Sequence, residues 1–141
     1  MRKDVVLITN NPCFQQLIEP PRLTFLHGTS LDVLTTARDA VHLGSELLTH
    51  PLYGNLRPSQ QPFRSILLKN PQPPQREGGK FVFPAYLESI SAIEDAVLLY
   101  AGYGSRLLAP ESLTDAARED CAFVDSELMR DSLTLYGLMR R

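Results

Sequence analysis

The sequence predicts an α/β protein: a small three-layer sandwich in which a mainly parallel sheet of about four strands carries helices on both faces. The continuous apolar run Val5–Ile8 is typical of a strand that is covered on both faces. Segments with strand and helix patterns then alternate up to residue 50, which favours right-handed crossovers between parallel strands. A chain of 141 residues is the size of one domain, so we expect a single domain over residues 1–141.

Prolines, asparagines and glycines mark the limits of the first elements. Asn11 can cap a short helix that starts at Pro12, because proline at the first helical position gives up only a donor that would be unpaired. Pro20-Pro21 ends that helix. Leu23–His27 is predicted to be the second strand, and Gly28 permits the sharp turn that follows it.

The next helix and two further strands follow from the same kind of pattern. Thr29 or Ser30 can cap a helix that ends at Gly44, and its apolar face is formed by Leu31, Leu34, Ala37 and Val41. Leu47–Thr49 is predicted to be the third strand and Ser65–Lys69 the fourth. The connection between them contains no helix, so the fourth strand can run in either direction.

The second half of the chain is predicted to hold a loop and two long helices. Residues 70–80 form a polar, Pro/Gly-rich segment that we expect to be a mobile surface loop. A helix is expected from Pro84 to about Tyr100, and a last helix starts at Thr114 or Asp115. The last helix carries a long apolar stripe and a second apolar set. The stripe is Ala117, Cys121, Val124, Leu128, Leu135 and Leu138 or Met139, and the second set is Ala122, Met129, Leu133 and Tyr136.

The most unusual stretch lies between the third and fourth strands. Thr-His-Pro-Leu at 49–52 is followed by Gly54 and by Pro-x-x-x-Pro-Phe-Arg-Ser at 58–65. Together with Ile8–Pro12, Gly28–Val33 and Asp120–Leu128, this stretch resembles the GrdX family. The family consists of small proteins encoded alongside the glycine, sarcosine and betaine reductase systems of anaerobic bacteria. The resemblance implies a setting in amino-acid metabolism, with reductase components as partners, and supplies no catalytic residues.

Strand direction predicts where a ligand would bind. If the first three strands are parallel, the residues that follow them meet at the carboxyl edge of the sheet, where open α/β folds bind ligands. The predicted ligand-binding residues are Asn10, Asn11, His27, Ser30, His50 and Arg57, and Arg64 is a further candidate. Amide, hydroxyl and guanidinium donors dominate this set. A small anion such as a carboxylate or phosphate is therefore the expected ligand.

The sequence contains no familiar catalytic motif. Pairs of carboxylates near the strand ends, a nucleophile elbow, a dinucleotide-binding turn and a phosphate loop are all missing from it. His27 and His50 could act as acid and base or as two metal ligands, but no third ligand is evident. We therefore predict no metal and no cofactor, and a role that is non-catalytic.

Composition excludes several classes of protein. A net charge of −2 with scattered basic residues argues against a nucleic-acid binder. Asn10-Asn11-Pro12 interrupts the first apolar run too early for a signal peptide, and no segment is long enough to span a membrane. Cys13 and Cys121 have neither zinc-site nor disulfide-framework spacing, so we expect reduced thiols and a cytoplasmic location.

Three functions remain open at this stage. The first is an accessory protein that binds a small anionic ligand or a partner at the carboxyl edge. The second is a small enzyme that uses His50 or His27 in acid/base chemistry on an acyl or phosphoryl compound. The third is an oligomeric interaction protein, for example a homodimer, organised by the C-terminal helix.

Overall fold

A computed structural model describes residues 4–73, 75–82 and 86–139 of the chain. Its central feature is a four-stranded sheet formed by β1 (Val5–Thr9), β2 (Leu23–Phe25), β3 (Glu46–Leu47) and β4 (Ser65–Lys69). The strand order is β2-β1-β4-β3. Three helices complete the fold: α1 (Ser30–His42), α2 (Leu87–Ala101) and α3 (Asp115–Leu135). The protein is thus a mixed α/β protein, as the sequence predicts.

The prediction of a mainly parallel sheet is wrong. Only β1 and β2 pair in parallel, whereas β4 pairs antiparallel with both β1 and β3. The cause lies in the connection between β3 and β4, which has no helix to carry the chain back across a face of the sheet. Because β4 alone is reversed, the carboxyl ends of β1, β2 and β3 still lie at one edge.

Two apolar clusters lie on opposite faces of this sheet. Along β1 and β4 the side chains alternate, so that Ile8 and Ile66 point to one face and Leu7 and Leu67 to the other. On the first face they pack against α1 and α2, and on the second against Phe14 and α3.

The predicted helix starts are confirmed at three positions, Asn11, Thr29 and Thr114, and the Thr114 side chain accepts a hydrogen bond from the backbone of Ala117 at the start of α3. The Asn11 side chain accepts a hydrogen bond from the backbone of Cys13 and caps a 3-10 helix at Pro12–Gln15. Thr29 and Asp32 each accept a hydrogen bond from the other's backbone N–H, which forms a capping box at the start of α1. The predicted start of the next helix at Pro84 lies outside the described residues.

The Pro/Gly-rich segment at 70–80 contains secondary structure that the sequence did not reveal. Strands β5 (Gln75–Glu77) and β6 (Lys80–Val82) form a hairpin. Gly78 and Gly79 connect them with φ angles of 55° and 83°, and two positive φ angles are what a tight two-residue hairpin turn requires. The mobility of this segment stays a prediction.

Helix α3 packs against the sheet with its second apolar set and not with its longest apolar stripe. The buried residues are Ala122, Asp125, Met129 and Leu133, which belong mostly to the second apolar set. In the longer stripe Val124, Leu128 and Leu135 are exposed. Asp125 stabilises this orientation, because its carboxylate accepts hydrogen bonds from Asn11 and Ser65 in the interior of the protein.

Candidate functional site

The carboxyl edge of the sheet is crossed by the chain between β3 and β4, which we call the proline loop (residues 48–64). This loop is held by hydrogen bonds to the residues that follow β1. The Asn10 side chain donates to the carbonyls of Gly28 (3.0 Å) and Pro62 (2.9 Å) and accepts from the backbone N–H of Arg64 (2.9 Å). Asn10 thereby joins the ends of β1, β2 and β4, and both of its side-chain N–H groups are used in doing so.

Asn11 is used in the same way, on the α3 side of the sheet. Its side-chain N–H group donates to the carbonyl of Ala122 (2.9 Å) and to Asp125 Oδ2 (3.0 Å), and its oxygen accepts from the backbone of Cys13. Asn11 is completely buried. The residue therefore fixes α3 to the end of β1, and its amide is not available to a ligand.

A buried carboxylate lies at the centre of these contacts. Asp125 is 1% exposed and accepts hydrogen bonds from Asn11, from Ser65 Oγ (2.8 Å) and from the Tyr53 hydroxyl. The Tyr53 oxygen in turn accepts from the backbone N–H of Ser65 (2.7 Å), and Ser65 Oγ also lies 2.7 Å from Thr9 Oγ1. Three donors surround the carboxylate, which is how a buried charge is stabilised away from water.

The Tyr53 hydroxyl stays protonated in this network. Burial, and then the nearby Asp125 carboxylate, raise its pKa well above the ordinary value of 10.0. Tyr53 is accordingly a hydrogen-bond donor to Asp125 at neutral pH, and not a nucleophile or a general base. The network connects the proline loop to α3 and therefore has a structural role.

Arg64 holds the proline loop from its other side. Its guanidinium donates to the carbonyls of Pro51 (3.2 Å) and Tyr53 (3.0 Å) although the residue is only 2% exposed. The guanidinium carbon lies 4.3 Å from the centroid of the Tyr53 ring and 5.5 Å from that of Tyr100. These stacked rings stabilise the buried cation.

The structure separates the predicted ligand-binding residues. Ser30 is buried, and its hydroxyl has no hydrogen-bond partner within the described ranges. Arg57 is exposed, and its backbone N–H binds the Gln60 side chain. His50 is exposed as well, and its Nδ1 accepts from the backbone of Leu52 (3.0 Å). Only Asn10 and His27 line the same cavity.

That cavity, which we call the edge cavity, has a volume of about 610 Å³ and lies where β1 and β2 end and α1 begins. The residues that carry its polar and aromatic character are Asn10, Phe25, His27, Asp32, Glu111 and Arg118. His27 is exposed and packs edge-on against Phe25, with the ring centroids 4.8 Å apart. The location agrees with the predicted site, but Asp32, Glu111 and Arg118 were not in the predicted set.

The charges around the edge cavity do not favour a small anion. The Arg118 guanidinium donates hydrogen bonds to Asp115 Oδ1 (2.9 Å) and to the carbonyls of Pro110 (3.0 Å) and Leu113 (2.9 Å). Of the side chains on which the anion prediction depended, His27 is exposed in this cavity, whereas the others are occupied, buried or elsewhere. Glu111 and Asp32, which also accepts from the backbone N–H of Thr29, are carboxylates at the wall of the cavity.

A second cavity of about 580 Å³ contains His50. It lies between β3 and the start of α2 and is also lined by Glu46, Thr49 and Glu88. The two histidines therefore belong to different cavities and do not form an acid/base pair.

The described residues also limit metal and thiol chemistry. No group of three or more His, Cys, Asp or Glu side chains in the described ranges is placed to hold a metal ion. Burial raises the pKa of both Cys13 and Cys121, and nearby carboxylates raise it further. Both are therefore thiols and not thiolates at neutral pH.

None of the helices described here combines the length and the apolar character that a membrane span requires.

Among known proteins, neither the curated sequences nor the solved structures include a match to this chain. The family model described as GrdX-like protein does match, over residues 6–134. That match contains the proline loop, the edge cavity and nearly all of β1 and α3. The chain belongs to the GrdX-like protein family.

Proposed function

We propose that the protein is a non-catalytic accessory protein of the glycine, sarcosine or betaine reductase systems that binds a small molecule in the edge cavity. Family membership supports the setting. The observation that supports the binding role is a cavity of about 610 Å³ at the carboxyl edge, with Phe25 and the exposed His27 in its wall.

The lining of the edge cavity suggests the charge of the ligand. The Glu111 carboxylate is an acceptor, the Asp32 carboxylate also accepts from the backbone N–H of Thr29, and the rings of Phe25 and His27 present surfaces on which an organic cation can lie. A ligand with an ammonium group or another positive charge satisfies these groups. This proposal replaces the small anion expected from the sequence, because the amides of Asn10 and Asn11 bind the protein's own groups and Arg57 does not line the cavity.

An enzymatic role has less support. In neutral His50, Nδ1 accepts from Leu52, so the proton is on Nε2 and that nitrogen is not a base. No hydrogen bond within the described residues orients the His27 ring. Neither histidine therefore has the partner that usually positions a general base.

Thermal denaturation tests the proposal with glycine, sarcosine, betaine, ethylammonium, acetate and phosphate as additives. A ligand at about 100 times its dissociation constant stabilises the folded state by about 2.7 kcal/mol, which raises the midpoint by several degrees. We expect this shift with the compounds that carry a positive charge. Acetate and phosphate are expected to have little effect.

Two variants locate the binding site. Glu111→Gln removes one carboxylate from the edge cavity and should reduce the shift by at least half. Glu88→Gln removes one from the second cavity and should leave the shift unchanged. Equal shifts in the two variants would place the ligand elsewhere, and no shift with any compound would contradict small-molecule binding.

A further inference from the structure

The outer face of α3 carries an apolar stripe that no described part of the chain buries. Val124, Leu128 and Leu135 are 41%, 45% and 77% exposed. They follow one another at intervals of four and seven residues, which places them along one side of the helix. Leu128 lies at the edge of this side that borders the proline loop, because a Cβ atom on Gly54 would be 3.0 Å from its Cδ1.

The stripe is not required for the protein's own core. The opposite side of α3 already buries Ala122, Met129 and Leu133 against the sheet. Apolar side chains that recur at helical spacing on a solvent-facing side are typical of a surface that another helix covers.

An acidic row runs beside the stripe. Asp120, Glu127 and Asp131 are exposed and recur at intervals of seven and four residues, so they share the neighbouring side of α3. Glu127 is also paired with Arg130 (2.7 Å). The whole helix contains six of the 16 acidic and two of the 14 basic residues of the chain, a net charge of −4, or −3 without the buried Asp125. Since the chain as a whole has a charge of −2, the remainder carries +2.

We infer that this face docks an amphipathic helix of another protein whose apolar side is flanked by Lys or Arg. The apolar residues of that helix cover Val124, Leu128 and Leu135, and its basic residues pair with the acidic row. A second copy of this chain fits poorly. Antiparallel pairing of two stripes brings the two acidic rows side by side, and any pairing of α3 with itself joins two helices whose charges outside the core sum to −3 each.

Two synthetic 21-residue helical peptides test this inference. Both carry the same leucine and alanine stripe, and one is flanked by lysine and the other by glutamate. Fluorescence anisotropy of the labelled peptides should show binding of the lysine peptide, at least 10-fold tighter than that of the glutamate peptide. Its affinity should fall as salt is raised, because the paired charges are exposed.

Variants of the protein assign the binding to α3. Leu128→Gln and Leu135→Gln should each lower the affinity for the lysine peptide at least 10-fold. Leu135 is the more exposed of the two, so Leu135→Gln replaces Leu128→Gln if that variant fails to fold. Leu98→Gln is the matched control, since Leu98 is 75% exposed on α2. It should bind like the unmodified protein.

Four results would overturn the inference. These are no binding of the lysine peptide, equal binding of the two peptides, equal effects of the α3 and α2 variants, and a dimer in light scattering that Leu128→Gln dissociates. The last result would show that a second copy occupies the stripe.

Discussion

The buried carboxylate of Asp125 should carry a large share of the stability that fixes α3 and the proline loop to the sheet. Asp125→Ala removes the acceptor of the Asn11 amide, the Tyr53 hydroxyl and the Ser65 hydroxyl, of which Ser65 retains Thr9 Oγ1 as a partner. Each unsatisfied buried donor costs about 1–3 kcal/mol, but losses within one network are not additive. We therefore expect a loss of about 3–5 kcal/mol, which is less than the sum of the largest separate penalties.

Urea denaturation followed by far-ultraviolet circular dichroism measures this loss, and the helices supply the signal. The chain contains no tryptophan, so tyrosine fluorescence is the second probe. Asp120→Ala is the control, because Asp120 is exposed on the same helix and should change the unfolding free energy by less than about 0.5 kcal/mol. If the two variants differ by less than about 1 kcal/mol, the network does not hold the structure together.

Two further predictions concern the same region. Tyr53 has a raised pKa in the folded protein, so its contribution to stability is complete below pH 10 and is lost as pH rises toward the folded pKa. The unfolding free energy of the unmodified protein should therefore fall above about pH 10, and the advantage over Tyr53→Phe should shrink there; a constant difference from pH 8 to 11 would refute this. Arg64→Lys should cost about 2–4 kcal/mol in urea denaturation, because an ammonium cannot reproduce both carbonyl contacts and the stacking on two rings. The exposed Arg57→Lys should cost less than about 0.5 kcal/mol, and an equal effect at both positions would contradict the role of Arg64.

Local signals in the sequence predicted the local structure well. The apolar run of β1, the Asn11 cap and the Thr29 cap with Asp32 in the first turn of α1 all depend on residues that are neighbours in the chain. Such local signals do not determine the direction in which a strand pairs with its neighbours. The reversal of β4 follows from the pairing of β1 with a strand about 60 residues later, which no short pattern specifies.

The buried network was missed for the same reason. Asn11 and Asp125 are 114 residues apart, and an isolated aspartate in a helix gives no sign that it will be buried. Both apolar stripes of α3 have helical periodicity, so periodicity could not decide which one faces the sheet. Asn10 and Asn11 were correctly placed at the carboxyl edge, but their type could not show that their amides bind the protein's own backbone.

Small-molecule binding in the edge cavity is tested most directly by nuclear magnetic resonance of the ¹⁵N-labelled protein during a titration with ethylammonium chloride. The account predicts saturable shifts of the backbone signals of His27, Gly28 and Glu111, which surround the cavity, and none at Thr49 or His50 in the second cavity. Shifts confined to Thr49 and His50, or no saturable shift at all, would contradict it.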